Sequence, residues 1–295
     1  MLLKPVKSPL MRRIFFLLLP LTLTVAANGQ VRLGVFGGVS NYLGDITHKI
    51  YQNSGPALGL TLSYPITNRI NIRGGFTYGK VKGADSLNPR EDFRLRNLSF
   101  QTSITEFSLV GEINTFDMNY KRWSPYIFGG LAVFHFNPYT FDQQGNKVLL
   151  QPLSTEGEGL PGYARNYSRT QLALPFGGGI KYDISEKVRI AFEVGLRKLF
   201  TDYLDDVSGQ YADPNDLFAA KGQQAVDISY RGDEVVGGNP AYPVKGFDRG
   251  SAKYKDYYYF SGIHLTFQLP GGDNSERVYS SKMGKNKRYG CPTVF

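Results

Sequence analysis

Three histidines, a cluster of aspartates and one cysteine are the residues of this chain whose chemistry could serve catalysis or ligand binding. His48, His135 and His264 lie far apart, and a nucleophile–histidine pair needs its two side chains within hydrogen-bond reach. No spacing compels such a pair, so structural histidines are expected. Asp202, Asp205, Asp206, Asp213 and Asp216 crowd one stretch that contains no Lys or Arg. Carboxylates so placed could ligate a hard cation such as calcium. Their spacing does not fit an EF-hand loop, and a solvated, hydrogen-bonded loop start is the competing reading. Cys291 is the only cysteine, which rules out an internal disulfide, and nothing near it argues for an activated thiolate. No catalytic residue, cofactor or metal site is therefore expected, and the chain reads as a non-enzyme.

The elements that would position these residues begin after a leader. Lys4, Lys7, Arg12 and Arg13 precede an apolar run from Ile14 to Val25, and small residues at Ala27 and Gly29 precede Gln30. That order is a signal peptide over residues 1–29. Twelve apolar residues would rise only about 18 Å as a helix, too short to span a bilayer core. The formal charge of +9 partly leaves with the leader. An exported chain with dispersed cations is not expected to bind nucleic acid. No later segment approaches the apolar length of a membrane helix.

Alternation dominates what remains. Ile70, Ile72, Phe76 and Tyr78 share one face, with Asn71, Arg73 and Thr77 on the other. Val188, Ile190, Phe192, Val194 and Leu196 oppose Arg189, Glu193 and Arg197. Residues 171–183 and 257–269 alternate equally well, 57–65 cleanly and 103–114 fairly. Residues 31–42 break the pattern at Phe36, and 124–136 are apolar on both faces. Period two over about ten residues fits a tilted transmembrane strand. The connections run roughly 14, 4, 24, 9, 34, 5 and 58 residues, long and short in strict alternation. The fold expected over 30–269 is thus an all-β, eight-stranded antiparallel transmembrane β-barrel with short periplasmic turns and long extracellular loops, set in outer-membrane lipid.

Two aromatic levels are expected at the headgroups: Tyr64, Trp123, Tyr126 and Tyr182 at the short-turn ends, and Tyr42, Tyr78, Tyr257 and Tyr258 at the long-loop ends. Eight strands leave a lumen that side chains fill. Arg73, Glu106, Lys181, Arg189, Glu193 and Arg197 should pair there as an ionic plug. Ile190→Arg on the lipid face should then cost more than Arg189→Gln inside. Residues 270–295 are expected to form a basic periplasmic tail, either disordered or, through Lys282, Lys285, Lys287 and Arg288, docked to an acidic partner.

Three loop segments are long and unusual: Ser40-Asn41-Tyr42-Leu43-Gly44-Asp45, Gln151-Pro152-Leu153-Ser154-Thr155-Glu156-Gly157, and Phe200-Thr201-Asp202-Tyr203-Leu204-Asp205-Asp206-Val207-Ser208. With the ending Cys291-Pro292, they make the chain resemble the PorG-like outer-membrane barrel family of the Bacteroidetes type IX secretion system, which also serves gliding motility in some members. The resemblance spans essentially the whole mature chain. It implies a non-enzymatic subunit that ties a periplasmic ring, formed by a lipoprotein and its partner protein, to the outer membrane. A stand-alone small barrel of the adhesin, stress-response or lipid-modifying kind is the alternative. The topology puts the distinctive motifs outside the cell, whereas the ring is periplasmic. Either those loops meet other outer-membrane components or they fold into a cap.

Overall fold

A computed structural model describes residues 31–269 apart from positions 48, 49, 52 and 254. The leader, His48, Cys291 and the tail with Lys282, Lys285, Lys287 and Arg288 lie outside the described residues. Eight long strands form the wall: β1 (Arg32–Leu43), β2 (Gly55–Pro65), β3 (Ile70–Ala84), β4 (Ser99–Asn114), β5 (Trp123–Phe141), β7 (Thr170–Asp183), β8 (Val188–Leu199) and β9 (Tyr257–Gln268). A short β6 (Lys147–Leu149) hangs on the upper end of β5. Every neighbouring pair is antiparallel, and β1 pairs with β9 over its whole length. The ring is closed, which leaves none of these eight strands with a bare edge.

Alternation sorts the side chains as the sequence implies. Leu58, Phe107, Leu109, Ile127, Leu131 and Ile180 are all more than half exposed on the outer surface. Val35, Leu60, Phe76, Phe107, Val133 and Leu172 are successive cross-strand partners in one unbroken apolar row. In water such a surface would be an aggregation site; in a bilayer it is the lipid contact. The protein is an outer-membrane β-barrel.

The lumen is filled in two layers. The lower layer, toward the short turns, is ionic. Arg73 bridges Glu112 (3.0 Å) and Glu193 (2.7 Å), Lys181 joins Glu112 and Arg189 joins Asp183, while higher up, level with Phe134 and Tyr258, Arg197 grips Glu106 with two bonds of 3.0 and 3.1 Å. All six expected inward charges are therefore paired. A recess of about 280 Å³ opens below them and is lined by Asn71, Lys181, Arg189 and His264. The upper layer is apolar, built from Phe100, Ile104, Phe134, Phe136, Tyr258 and Phe260. This layer explains the two irregular segments. Phe36 turns inward against His264, with ring centroids 4.7 Å apart. Tyr126, Phe128, Phe134 and Phe136 face the lumen, while Ile127, Leu131 and Val133 face lipid.

Three of the expected interfacial aromatics are corrected. Tyr42, Tyr126 and Tyr258 point inward, each at most 2% exposed. Their hydroxyls donate to buried carboxylates: Tyr126 to Glu193 and Tyr258 to Glu106, both at 2.6 Å, and Tyr42 to Asp205. Position along a strand sets the level of a ring, but parity sets its side, and parity sends these three inside. Tyr64, Tyr78, Trp123 and Tyr182 remain outward and exposed. β3, β4 and β5 also run beyond the expected ends, because their upper residues wall the apolar layer rather than meet lipid.

Ile190 lies opposite Tyr182, at the short-turn headgroup level, so Ile190→Arg should cost only about 0–1 kcal/mol, whereas Leu109→Arg, halfway up the lipid face, should cost ~2–4 kcal/mol. Denaturant titration of the refolded barrel in lipid vesicles measures both. Arg189→Gln, expected from the sequence to cost less, should instead cost more than Ile190→Arg, since the fully buried Asp183 would lose the Arg189 guanidinium.

Candidate functional site

The three unusual loop segments meet. They close the long-loop end of the barrel, the end that faces outward in bacterial outer-membrane barrels. Thr155 donates to Asp206 at 2.6 Å. Glu156 accepts from the backbone N–H groups of Ser208 and Gly209, each at 2.9 Å. Tyr42 reaches both Asp205 and Asp256. Gln151 donates to the carbonyl of Tyr167 at 3.0 Å, and Tyr203 stacks on the Tyr167 ring at 4.7 Å. Leu204 is fully buried, and Leu153 packs against the same cluster. The three loops consolidate one cap.

Individual motif residues have local reasons. Asn41 accepts from the Ser54 hydroxyl, Asp45 from the backbone N–H of Ser251, Thr201 from that of Tyr203, and Asp202 from the Ser208 hydroxyl. Gly157 has φ +84°, and a side chain there would strike the Tyr163 ring. Gly44 must be glycine for another reason. A Cβ would lie 2.1 Å from both the Tyr42 hydroxyl and the Asp256 carboxylate. Leu43 is half-buried at the top of β1, and Pro152 sits in a short turn of 3₁₀ helix, Gln151–Leu153.

The electrostatics of the cap are lopsided. Asp45, Glu156, Glu158, Asp202, Asp205, Asp206 and Asp256 gather there, and the cation buried among them is Arg249. Arg249 donates to Glu156 at 3.1 Å and to the backbone carbonyl of Asp206. Its charge also holds down Asp206 and Glu158. Burial, and then the charge of Asp256, pushes the Asp205 carboxyl well above the usual carboxylate range. Burial, then Asp202, does the same to Asp256. Burial also raises Asp202 to about 7 and Asp206 to about 6, the latter opposed by Arg249. Glu158 is pushed up to about 8 by burial and by Asp206 and Glu156. Geometry points the same way. The Tyr42 hydroxyl has one proton, yet it lies 2.5 Å from Asp205 and 2.9 Å from Asp256. One of the two carboxyls must carry a proton to complete the second bond.

The aspartates that suggested calcium separate in space. Asp213 caps the helix α1 (Pro214–Lys221) by accepting from Asn215, and Asp216 accepts from the Tyr163 hydroxyl at 2.6 Å. The three others belong to the cap. Among the described residues no group of three Asp, Glu, His or Cys side chains is arranged to hold a metal ion. His135 lies on the outer surface 3.0 Å from Thr170, and among the described residues no carboxylate is bonded to it. His264 is buried beside Glu193 and Arg73. Sequence reasoning missed Arg249, Asp256, Glu158 and Tyr167. They sit in long loops with no periodicity or motif, so nothing local marked them.

Among known proteins, residues 12–220 match the family model described as a domain of unknown function, DUF6089. No curated protein sequence matches significantly. Solved structures with similarity include Neisserial surface protein A, with 8% identity, 81% of this chain and 97% of that chain covered, and a TM-score of 0.42. OprG from Pseudomonas aeruginosa shows 13% identity, 83% and 99% coverage, and a TM-score of 0.40. The enzyme PagL shows 11% identity, 81% and 99% coverage, and a TM-score of 0.30. Such values carry no neighbour's properties over to this chain.

Proposed function

The chain belongs to the DUF6089 family, and we propose that it is a non-enzymatic outer-membrane subunit of a type IX protein secretion system. In that role it anchors or organises a periplasmic ring, made by a lipoprotein and its partner, at the outer membrane. One observation supports this reading most. The lumen is filled by paired charges and packed rings, so the barrel is a scaffold rather than a conduit. The three motif segments on which the family resemblance rests are also built into one structural unit rather than left as free loops. Contact with the ring is assigned to the short turns and to the basic tail carrying Lys282, Lys285, Lys287 and Arg288, which can meet acidic partner surfaces.

Affinity purification of the tagged full-length protein from detergent extracts should recover the ring proteins, and deletion should block export of secreted cargo. Normal export in a clean deletion strain removes this reading and leaves a stand-alone barrel of the adhesin, stress-response or lipid-modifying kind. Truncation after Leu269 should reduce ring recovery; undiminished recovery would move the contact to the turns.

A further inference from the structure

The outer wall changes polarity in steps on one side of the barrel. The apolar row through Phe76, Phe107, Val133 and Leu172 is followed, two residues higher, by Tyr78, Thr105, His135 and Thr170. Two residues higher again stand Lys80, Ser103 and Asn137, and then Lys82, Gln101, Tyr139 and Leu149. Each step climbs about 7 Å along the strand. The lipid-facing band of such barrels is about 25 Å tall. The two lysine rows therefore stand at the headgroup level of the outer leaflet.

The cations at this level are arranged, and the acid on the β5–β6 turn, Asp142, is taken up by Gln144 and Asn146 of its own turn. Tyr139 is almost fully buried because Lys80 and Lys147 lie over its ring, 5.9 and 3.9 Å from the centroid, and its hydroxyl donates to Gln101 at 3.1 Å. Arg169 donates to Asn137 at 3.3 Å, which holds a fourth cation beside the same stripe. None of Lys80, Lys82, Lys147 and Arg169 forms an ion pair among the described residues, unlike the inward charges. Lys82 faces outward, since its neighbour Gly83 points in at Phe100 and Ile46. The short-turn rim, by contrast, mixes signs, with Arg69, Lys121, Arg122 and Lys187 beside Asp117 and Glu186.

We propose that this stripe on β3–β6 is a binding site for the phosphate groups of an anionic, phosphorylated lipid in the outer leaflet. Lipid chains would lie on the apolar row while the headgroup phosphates sit between Lys80, Lys82, Lys147 and Arg169. The site is continuous with the membrane contact below it, and its charge complements phosphate.

Native mass spectrometry of the folded full-length chain in neutral detergent tests it, with bisphosphorylated lipid A as the probe and its dephosphorylated form as the comparison. The wild type should prefer the phosphorylated form. The triple variant K80Q/K82Q/K147Q should bind that form on the order of a hundredfold more weakly, the loss expected for three headgroup-level cations. Heat-modifiable gel mobility confirms that the variant is folded, and K121Q/K187Q at the opposite rim should leave binding unchanged. Equal binding of the two lipids by the wild type, or full retention by the folded triple variant, overturns the site. Displacement by inorganic phosphate at equal concentration would make it a free-anion site and overturn the lipid assignment.

Discussion

Raising the pH from about 5 to about 8.5 is expected to loosen the cap while the barrel wall stays closed. Asp202, Asp205, Asp206, Asp256 and Glu158 all have carboxyls held above their ordinary values, chiefly by burial. An acid whose folded pKa is raised contributes stability that is complete below its unfolded pKa, near 4. That contribution is lost as pH climbs through the folded value. For this cap the window runs from about pH 4 to about pH 8. Each proton that the folded cap holds and the opened loops do not makes opening easier by about 1.4 kcal/mol per pH unit within that window. Arg249 offsets only part of the charge that appears, because its contacts go to Glu156 and to a backbone carbonyl. Amide hydrogen exchange, corrected for its intrinsic pH dependence, should show protection in residues 151–159 and 201–209 falling toward alkaline pH. Protection in β3 and β8 should hold steady. Cap protection that is flat or rises with pH would show that these carboxyls are ionised and satisfied.

The second large effect concerns the ion pair held among the lumen rings. Arg197 and Glu106 form a two-pronged pair with both side chains buried, and Tyr258 adds a hydroxyl to the same carboxylate. Arg197→Met alone strands Glu106, and Glu106→Met alone strands Arg197. Either change should cost about 3–5 kcal/mol, because one charge remains buried without its counter-ion. The double variant should recover most of the loss, since no charge is then stranded and methionine fills space adaptably. What remains, about 1 kcal/mol, is the acceptor lost by Tyr258. Urea titration of the refolded barrel reads all three. Strict additivity of the two single changes would mean that the charges act independently and that the plug is not a paired network.

Much of the wall was legible because lipid enforces a simple rule on each strand. Ile70 to Tyr78 and Val188 to Arg197 could be assigned face by face, and the charges they send inward are all paired in the fold. The rule weakens where the lumen is itself apolar. Residues 124–136 carry greasy side chains on both sides, since Phe134 and Phe136 pack under the cap while Leu131 and Val133 meet lipid. Tyr42, Tyr126 and Tyr258 were misplaced for a related reason. A tyrosine suits both a headgroup level and a buried carboxylate, and only strand parity with the finished pairing separates the two.

By itself, then, the amino-acid sequence determined the strand number, the closure, the lipid face and the inward charges. The faces follow from a period of two read within each segment, and the number and closure from the count of such segments and the alternation of long and short connections. It also marked three loop segments as unusual, without indicating what they touch. Only the tertiary structure decided that these segments share one cap, that Asp205 and Asp256 compete for one tyrosine proton, and that Arg249 sits among the carboxylates. Those contacts join residues as far apart as Tyr42 and Asp256. No local periodicity encodes a meeting between distant loops, because it exists only once eight strands have brought their ends around the same opening.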